Sequence, residues 1–249
     1  MVFARSILPG VIPMLYTRSK NVAAFAIAFL LTFACPRSFA EQIVSVEAAG
    51  LHAVNAYTLS GGTHLHRHYP ATDRSGNVHA VIEIPTGTNA KWEVDKDTGE
   101  LIWEFKNGSP RVVSYLAYPG NYGMIPGTLL SKEEGGDGDP LDILVLGPAV
   151  SRGSVLKTRV IGVLRMLDDG EQDDKLIAVP VAGSPLSSVS DLQALDQNFP
   201  GITKILEIWF SNYKGPGEIE SLGYDSKEEA EAILADSVAS FERSEDIRN

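Results

Sequence analysis

Three carboxylates lie within six residues of the chain, at Asp137, Asp139 and Asp142, and the apolar run 143–146 follows them directly. Carboxylates this close repel each other, by roughly 4 kcal/mol for two unit charges about 4 Å apart at an effective dielectric constant near 20. A fold tolerates such a cluster when a cation lies among the carboxylates, and hard divalent cations prefer oxygen ligands. The segment is therefore predicted to bind divalent metal ions.

A second acidic segment, 168–174, contains four aspartates and one glutamate, and Lys175 and the apolar run 176–179 follow it. Taken alone, such a segment is also typical of a solvated loop. A calcium-binding hand is excluded for the first segment, because its sixth and twelfth positions need Gly and Glu but hold Asp142 and Pro148. Two acidic loops that each lead into a strand predict a site for several metal ions at one end of a sheet.

Several further segments accompany the acidic loops in a fixed order along the chain. Asp-Gly-Asp-Pro-Leu-Asp at 137–142 resembles the signature of the soluble (family I) inorganic pyrophosphatases. The resemblance extends over roughly residues 60 to 245 and implies Mg²⁺-dependent hydrolysis of inorganic pyrophosphate to two phosphates by a metal-activated water. The other matching segments are Val-Ile-Glu-Ile-Pro at 81–85, Lys-Trp-Glu at 91–93, Tyr-Pro-Gly-Asn-Tyr-Gly at 118–123, the acidic loop 168–175 and Asn-Tyr-Lys at 212–214.

The resemblance also implies a role for each matching residue. Asp139 would be the general base for the attacking water. Arg111 is preferred over Lys106 as a phosphate ligand, because a guanidinium can bind phosphate through two hydrogen bonds. The implied metal ligands are Asp137, Asp142 and Asp173 for two activating ions, and Asp168 and Glu83 for ions that arrive with the substrate. The implied phosphate ligands are Lys91, Arg111, Tyr122, Lys175, Tyr213 and Lys214, and Glu93 and Tyr118 would line the site.

The charge of the chain shows why such a site would need cations. The formal net charge is −11, so the protein as a whole repels an anionic substrate. Lysines, Arg111 and bound Mg²⁺ would supply local positive charge, and Mg²⁺ suits oxygen ligands best. The sequence contains no Gly-x-x-x-x-Gly-Lys-Ser/Thr phosphate loop and no Gly-x-Ser-x-Gly nucleophile motif, which argues against a nucleoside triphosphatase and a serine hydrolase.

Two other functions are compatible with parts of this pattern. A barrel-type module that binds nucleic acid or another anion would need a basic groove with stacking aromatic residues, whereas the densest loops here are acidic. An exported relative that binds metal or phosphate without activity is the other alternative, and metal storage would have no need for the phosphate ligands Lys91, Arg111, Tyr213 and Lys214. An inorganic diphosphatase that binds no nucleic acid is therefore the predicted function.

The N-terminal 40 residues differ in kind from the rest of the chain. They contain four basic residues and no acidic one, so their removal takes the formal charge from −11 to −15. The apolar run 22–34 follows Arg18 and Lys20 and precedes Ser38-Phe39-Ala40, which is the pattern of a secretory signal peptide. The run is short for a membrane span, although an uncleaved anchor stays an alternative. We expect a mature, periplasmic or secreted protein without stable membrane association, and a cytoplasmic one if the segment is not used.

The predicted domains are therefore a signal peptide, 1–40, and one pyrophosphatase domain, 41–249. Either Met1 or Met14 can start the chain, and removal of 1–40 also removes Cys35, the one cysteine. Residues 41–60 show little pattern and are interpreted as a weakly docked lead-in. Members of the family form hexamers in bacteria and dimers in eukaryotes, and the signal peptide and compact length favour a homo-hexamer.

The elements that must position these residues are mostly short strands. Asp97-Thr98-Gly99 and Lys106-Asn107-Gly108 predict hairpin turns. Helical spacing of apolar residues predicts a helix that Pro200 opens and a second one that Ser226 and Glu229 cap. The predicted fold class is α+β, a small closed β-barrel of the OB type flanked by two or more helices. The predicted strands are 79–84, 91–94, 101–105, 111–116, 142–147, 154–166 and 176–181.

Three histidines, His64, His66 and His68, stand at alternate positions near the start of this region. Alternate residues share one face of an extended strand. The segment is therefore interpreted as a partly exposed strand, and a transition-metal site is the alternative.

Overall fold

A computed structural model describes residues 45–48 and 50–248 of the chain. The segment predicted as a signal peptide lies outside the described residues. Within the described part of the chain, no helix is both long and apolar enough to cross a membrane. The strands are β1 (Ser45–Ala48), β2 (His52–Asn55), β3 (Thr58–Ser60), β4 (Val78–Ile84), β5 (Trp92–Val94), β6 (Leu101–Trp103), β7 (Phe105–Lys106), β8 (Ser109–Pro110), β9 (Asn121–Met124), β10 (Asp142–Val145), β11 (Ser154–Asp168), β12 (Glu171–Gln172), β13 (Lys175–Pro180) and β14 (Ile219–Asp225), and the helices are α1 (Leu192–Asn198), α2 (Ile202–Asn212) and α3 (Lys227–Arg248).

The main sheet contains strands in the order β1-β11-β13-β10-β9-β4, and β11 pairs a second time with β4. Hydrogen bonds therefore lead from β4 through β9, β10, β13 and β11 back to β4. Of these five pairings, β10 with β13 is the parallel one. A smaller sheet follows the order β2-β3-β6-β5. The predicted α+β class is confirmed.

Three apolar clusters pack around the main sheet; two of them reach the helices, and the third joins Val81 of β4 to the smaller sheet. In the first, Ile82, Ile143 and Leu156 pack with Ala230 and Leu234 of α3. In the second, Leu144 and Ile177 pack with residues of α2 such as Trp209 and Phe210. All seven residues of β4 are buried, because both of its faces are covered. The two helices thus hold the strands whose ends carry the acidic loops.

The local turn signals of the sequence are confirmed. β5 and β6 pair across the turn at Asp97-Thr98-Gly99, and β7 and β8 pair across Asn107-Gly108. Asn107 and Gly108 both have positive φ, at 54° and 77°, as a type I′ hairpin turn requires. The Ser226 hydroxyl accepts a hydrogen bond from the Glu229 N–H at 3.3 Å, so the predicted cap of α3 is present.

Several elements differ from the prediction. The segment 111–116 is wrong as a strand, since it pairs only through an isolated bridge between Ala90 and Val112. Residues 121–124, interpreted as part of a loop, form β9. Gly123 permits this strand, because a Cβ there would lie 1.8 Å from the carbonyl oxygen of Val81 on β4. The elements β14 and α1 were not predicted, and the described part of 41–60 forms β1 and the hairpin β2–β3 instead of a pattern-free lead-in.

The histidine segment is a turn and not the predicted strand. The His68 N–H donates to the carbonyl oxygen of His64 at 2.9 Å, which closes one turn of chain. His66 is buried, its Nε2 lies 3.0 Å from the carbonyl oxygen of Thr128, and its ring packs on Phe241. No group of three or more His, Cys, Asp or Glu residues among 45–48 and 50–248 is arranged to hold a metal ion, so the transition-metal alternative finds no support.

The burial of His66 predicts a pH dependence of stability. Burial lowers the pKa of His66 below 6.5, whereas an unfolded histidine keeps a value near 6.5. The unfolded state therefore binds more protons below about pH 6.5, and the folded state loses stability as the pH falls through that range. We expect His66→Gln to lose less unfolding free energy than the wild type between pH 7.5 and pH 5.5 in urea titrations. The exposed His68→Gln is the control and should follow the wild type, and identical pH slopes in all three proteins would contradict the prediction.

Candidate active site

One cleft, about 390 Å³ in volume, collects the ends of several strands. The parallel pairing of β10 with β13 places Asp142 beside Lys175, and β9 pairs with β10 on the other side. The Tyr122 hydroxyl on β9 donates to Asp142 Oδ2 at 2.6 Å. The register of three strands therefore fixes three of the predicted site residues at one point.

Lys175 is the centre of this arrangement. Its side chain is 2% exposed, and its Nζ lies 2.5 Å from Asp142 Oδ2 and also contacts Asp173 Oδ1. Burial disfavours the ammonium ion, but the two carboxylates outweigh it and raise the pKa of Lys175. Burial also raises the pKa of Asp173, and Lys175 opposes that effect. A buried lysine thus lies between two carboxylates and balances their charge.

The first acidic loop forms the opposite wall of the cleft. The Asp139 N–H donates to Asp137 Oδ1 at 2.8 Å, and the Asp139 side chain lines the cleft with 57% of its surface exposed. Burial is the main reason why the pKa of Asp137 rises to about 6, and the charges of Asp139 and Asp142 add to it. Lys96 Nζ contacts Asp139 Oδ1 and donates to the Gly138 carbonyl oxygen at 2.8 Å. The predicted base is therefore exposed and paired with a lysine.

The strands β4 and β5 supply the third wall. Lys91 Nζ lies 2.8 Å from Glu93 Oε1 and 5.0 Å from the centre of the Tyr122 ring. Burial opposes the charge of Lys91, yet its pKa is raised because Tyr118 and the carboxylates of Glu93 and Glu83 outweigh burial. Glu83 accepts a hydrogen bond from the Val94 N–H at 2.7 Å, and burial raises its pKa to about 8. Burial thus disfavours the charged form of Glu83, and a nearby cation would favour it.

Arg111 and Lys106 can now be told apart. Arg111 lines the cleft, and its Nη1 donates to Glu104 Oε2 at 2.7 Å and to Oε1 at 2.9 Å. Lys106 is exposed on the hairpin β7–β8 and is not part of the cleft wall. The geometry therefore favours Arg111, which was preferred on chemical grounds.

Helix α2 brings the last predicted residues to the cleft. Tyr213 and Lys214 follow its C-terminus, and Lys214 Nζ contacts Asp168 Oδ2. The Tyr213 ring stacks on Trp209 at 4.9 Å between ring centres. Tyr118 is buried behind the cleft wall, where its ring lies 4.5 Å from Trp209 and 5.1 Å from Tyr122, and it does not line the cleft as predicted. Its place in the site stays a prediction, since the Tyr118 phenol lies close enough to Lys91 to raise the pKa of that lysine.

The cleft contains more negative than positive side chains. Nine carboxylates and five cationic side chains line it, so it repels an anion unless further positive charge binds. Lys96, Lys175 and Lys214 form ion pairs with carboxylates of the cleft. Among the described residues, no three acidic side chains are already arranged to hold a metal ion. The donors are all oxygen atoms, and the raised pKa values of Asp137 and Asp173 mark negative charge that a cation would stabilise. The residues present therefore fit hard divalent cations.

Comparison with known proteins places this cleft in a family. The chain matches the family described as inorganic pyrophosphatase over residues 80–242. The chain belongs to the inorganic pyrophosphatase family. It is 39% identical over 175 residues to an inorganic pyrophosphatase of Gluconobacter oxydans, which covers 68% of this chain and 94% of the relative. It is 36% identical over 181 residues to an inorganic pyrophosphatase of Ralstonia nicotianae, which covers 70% of this chain and 96% of the relative.

A solved structure agrees with this family assignment. The inorganic pyrophosphatase from Schistosoma japonicum superposes with a TM-score of 0.66 at 28% sequence identity, over 73% of this chain and 71% of that one. The matched region of the pyrophosphatase family contains the whole cleft, from Glu83 to Lys214. The structure brings the predicted residues other than Tyr118 together in this one cleft, while their individual roles stay predictions.

Three charged residues of the cleft escaped the sequence analysis. Lys96 contacts the predicted base, Glu104 holds Arg111 through two hydrogen bonds, and Asp95 lines the mouth. The contact of Lys96 with Asp139 gave no signal, because the two residues are 43 positions apart in the sequence. Glu104 was detectable, because the predicted Asn107-Gly108 turn places it opposite Arg111 once β7 pairs with β8. The charge balance of a site therefore depends on both local and distant pairings.

Removal of the Arg111 guanidinium should weaken substrate binding. Hydrogen bonds that involve a charged group contribute about 1.5–3 kcal/mol each, and 1.4 kcal/mol corresponds to a factor of ten in affinity. We expect Arg111→Met to raise the KM for pyrophosphate by roughly tenfold or more in steady-state assays of phosphate release. Lys106→Met is the matched control and should leave KM unchanged. A larger effect of Lys106→Met than of Arg111→Met would reverse the assignment.

Proposed function

We propose that this protein hydrolyses inorganic pyrophosphate to two phosphates, that the reaction needs Mg²⁺, and that it takes place outside the cytoplasm. The membership of the pyrophosphatase family supports the reaction. The observation that carries the proposal is the convergence of predicted carboxylates, lysines, Arg111 and tyrosines in one cleft. The cleft combines anion-binding side chains with cation-binding ones, which suits a small and highly charged phosphoanhydride.

The cationic side chains would hold the substrate. Arg111 and Lys91 line the cleft next to the strands β8 and β5, and Tyr213 and Lys214 line it at the end of α2. Pyrophosphate between them would exchange the carboxylate partners of these cations for phosphate oxygens. Lys175 is buried, so its main role would be to hold Asp142 and Asp173 in place. It would contact only a phosphate oxygen that reaches the bottom of the cleft. Phosphoryl transfer depends mainly on such positioning and charge stabilisation.

Asp139 would act as the general base. Its exposed carboxylate faces the cleft mouth, where water has access. The oxygen of the attacking water forms the new P–O bond, its proton passes to Asp139, and the bridging P–O bond breaks to release the second phosphate. When Asp139 takes up the proton, its ion pair with Lys96 must break or become a contact with a neutral carboxyl group.

Divalent cations complete the charge balance. Asp137, Asp142 and Asp173 would hold the activating Mg²⁺ ions, and Asp168 and Glu83 would serve those that come with the substrate. Bound Mg²⁺ would neutralise phosphate charge and lower the pKa of a water molecule. The excess of carboxylates over cationic side chains in the cleft supports this requirement. Lys175 and Lys214 would share or release their carboxylate partners as the ions bind.

Phosphate release from pyrophosphate by the purified protein tests the proposal directly. We expect rapid release with millimolar MgCl₂ and none after addition of excess chelator. Release that is independent of Mg²⁺ would contradict the metal requirement. No release from folded protein at any Mg²⁺ concentration would overturn the enzymatic function and favour an inactive metal- or phosphate-binding relative.

We infer export from the basic, apolar and small-residue pattern of residues 1–40. Expression in a bacterial host with a C-terminal tag, followed by cell fractionation and N-terminal sequencing, tests it. We expect a periplasmic product that begins at Glu41, and a cytoplasmic product when 1–40 is deleted. A start at Met14 should preserve export, because Arg18, Lys20 and the apolar run remain. A full-length product in the cytoplasm would contradict the inference.

We further infer a closed five-stranded barrel of the OB type and assembly into a homo-oligomer, with the hexamer favoured over the dimer. The cyclic order of strand pairings supports the barrel. Exposed apolar side chains on α2, Ile205 and Ile208, and a nearby apolar groove support self-association. Sedimentation equilibrium of the mature protein gives the subunit number, and a monomeric mass at micromolar concentration would exclude the oligomer.

A further inference from the structure

Asp174 is a buried carboxylate that the proposed reaction does not use. It stands between Asp173 and Lys175 in the second acidic loop, and only 1% of its side chain is exposed. Its Oδ1 accepts a hydrogen bond from the Met166 N–H at 3.0 Å, and its Oδ2 accepts one from Gln172 Nε2 at 2.6 Å. A buried carboxylate is costly without partners, so the three residues form a small closed network.

The position of Asp174 on the chain links it to two residues of the cleft. Successive side chains in extended chain point to opposite sides. Asp173 and Lys175 face the cleft, and Asp174 faces away from it toward β11. The Asp173 N–H donates to the Met166 carbonyl oxygen at 3.0 Å, so both backbone polar groups of Met166 hold this piece of loop. A shift of Asp174 would therefore move Asp173 and Lys175 together.

Arg165 anchors Asp174 to the rest of the fold. Its Nε lies 2.9 Å from Asp174 Oδ2 without pointing its proton at that oxygen, so the contact is an ion pair and not a directed hydrogen bond. Its Nη1 lies 3.2 Å from Asp225 Oδ2 on β14 and 3.4 Å from Glu229 Oε1 on α3. One guanidinium thus ties the acidic loop to a strand and a helix outside the cleft.

The network also reaches the first acidic loop. The Gln172 side chain that holds Asp174 belongs to β12, and the Gln172 N–H donates to the Gly135 carbonyl oxygen at 3.3 Å. Gly136 forms a parallel bridge with Gln172 just before Asp137 begins the cleft wall. Asp174 and Gln172 therefore set the relative position of the two loops that contain the predicted metal ligands.

We propose that Asp174 is a positioning residue that, with Arg165 and Gln172, fixes Asp173 and Lys175 and thereby sets the affinity of the cleft for Mg²⁺. The inference rests on the proposed function, since it assumes that the cleft binds Mg²⁺ through Asp173. Groups behind metal ligands commonly change metal affinity by 10–100-fold when they are replaced. A loop without its anchor would have to be ordered by the metal itself, which weakens binding.

Calorimetric titration of Mg²⁺ into the purified protein, without substrate, tests the proposal. We expect Asp174→Ala to bind Mg²⁺ roughly tenfold more weakly than the wild type, and Asp174→Asn, which keeps the shape and the acceptor for Met166, to lie between them. Glu171→Gln is the matched control, because Glu171 is exposed in the same loop and its replacement removes the same charge. The control should stay within twofold of the wild type.

Two further readouts separate positioning from simple stabilisation. Pyrophosphate hydrolysis by Asp174→Ala should approach the wild-type kcat at saturating Mg²⁺, with the half-saturating Mg²⁺ concentration raised by the same tenfold factor. A lower thermal unfolding temperature with unchanged Mg²⁺ affinity would overturn the proposal, and so would an equal effect of Glu171→Gln. If Asp174→Ala does not fold, Asp174→Asn alone decides between these results. A wild-type protein that neither binds Mg²⁺ nor hydrolyses pyrophosphate would overturn the proposed function, and this inference with it.

Discussion

Asp139→Asn should lower the rate of pyrophosphate hydrolysis at saturating Mg²⁺ by about 10²- to 10⁴-fold, the range that a positioned general base contributes. The amide has nearly the same shape as the carboxylate but cannot take the proton of the attacking water. Asp139 is exposed, and its backbone N–H still reaches Asp137, so the fold should be unaffected. The measurement is kcat from phosphate release, with circular dichroism to verify folding.

The control for this variant is Asp97→Asn. Asp97 is an exposed aspartate in the hairpin turn beside Lys96, and its side chain does not line the cleft. Its replacement changes the net charge by the same amount, so kcat should be unchanged. A loss of less than tenfold in Asp139→Asn would mean that another group accepts the proton, and Asp137 would then be the next residue to replace.

Among the variants proposed here, Lys175→Met should have the largest loss of unfolding free energy. Removal of one member of a buried ion pair typically costs about 3–5 kcal/mol, because the remaining charge has no partner. Here two carboxylates, Asp142 and Asp173, would lose the same ammonium group. We expect the unfolding free energy in urea, measured with chelator present, to fall by about that amount. Mg²⁺ should restore part of it, since a cation can take the place of the missing charge.

Lys204→Met is the control for the Lys175 variant. Lys204 forms an exposed ion pair with Glu207 on α2, and such pairs contribute about 0–1 kcal/mol. Equal losses of stability in the two variants would show that Lys175 does not balance the buried carboxylates. A stability of Lys175→Met that does not respond to Mg²⁺ would argue that the cation binds elsewhere.

The sequence predicts those parts of the molecule that depend on neighbouring residues. The Asn107-Gly108 turn is encoded by two adjacent residues with the required backbone conformation, so it is visible without a structure. The acidic cluster can also be recognised from neighbouring residues, because Asp137, Asp139 and Asp142 lie within six positions and repel one another. The grouping of these residues with Lys91 and Lys214, by contrast, follows from resemblance to a known family.

The parts that escape prediction depend on partners that are distant in sequence. The sequence around β9 predicts a turn, because Pro119 and Gly120 precede it. The segment is a strand in the structure because β4 and β10 pair with its two edges. Lys96 and Asp139 meet only after β5 and the first acidic loop converge. His66 alternates with its neighbours as in a strand, but its contact with Thr128 holds it in a turn. Periodicity cannot report such contacts.

The second pairing of β11, with β4, has a consequence for the folding of the chain. Val155 pairs with Val81, so this contact closes the longest loop among the pairings that link the five strands in a cycle. Long-range pairings are slow to form, because the entropy of loop closure is lost before the contact contributes. We expect β9, β10 and β13 to associate before β4 meets β11, so closure of the five-stranded cycle should be the slowest of these pairings to form.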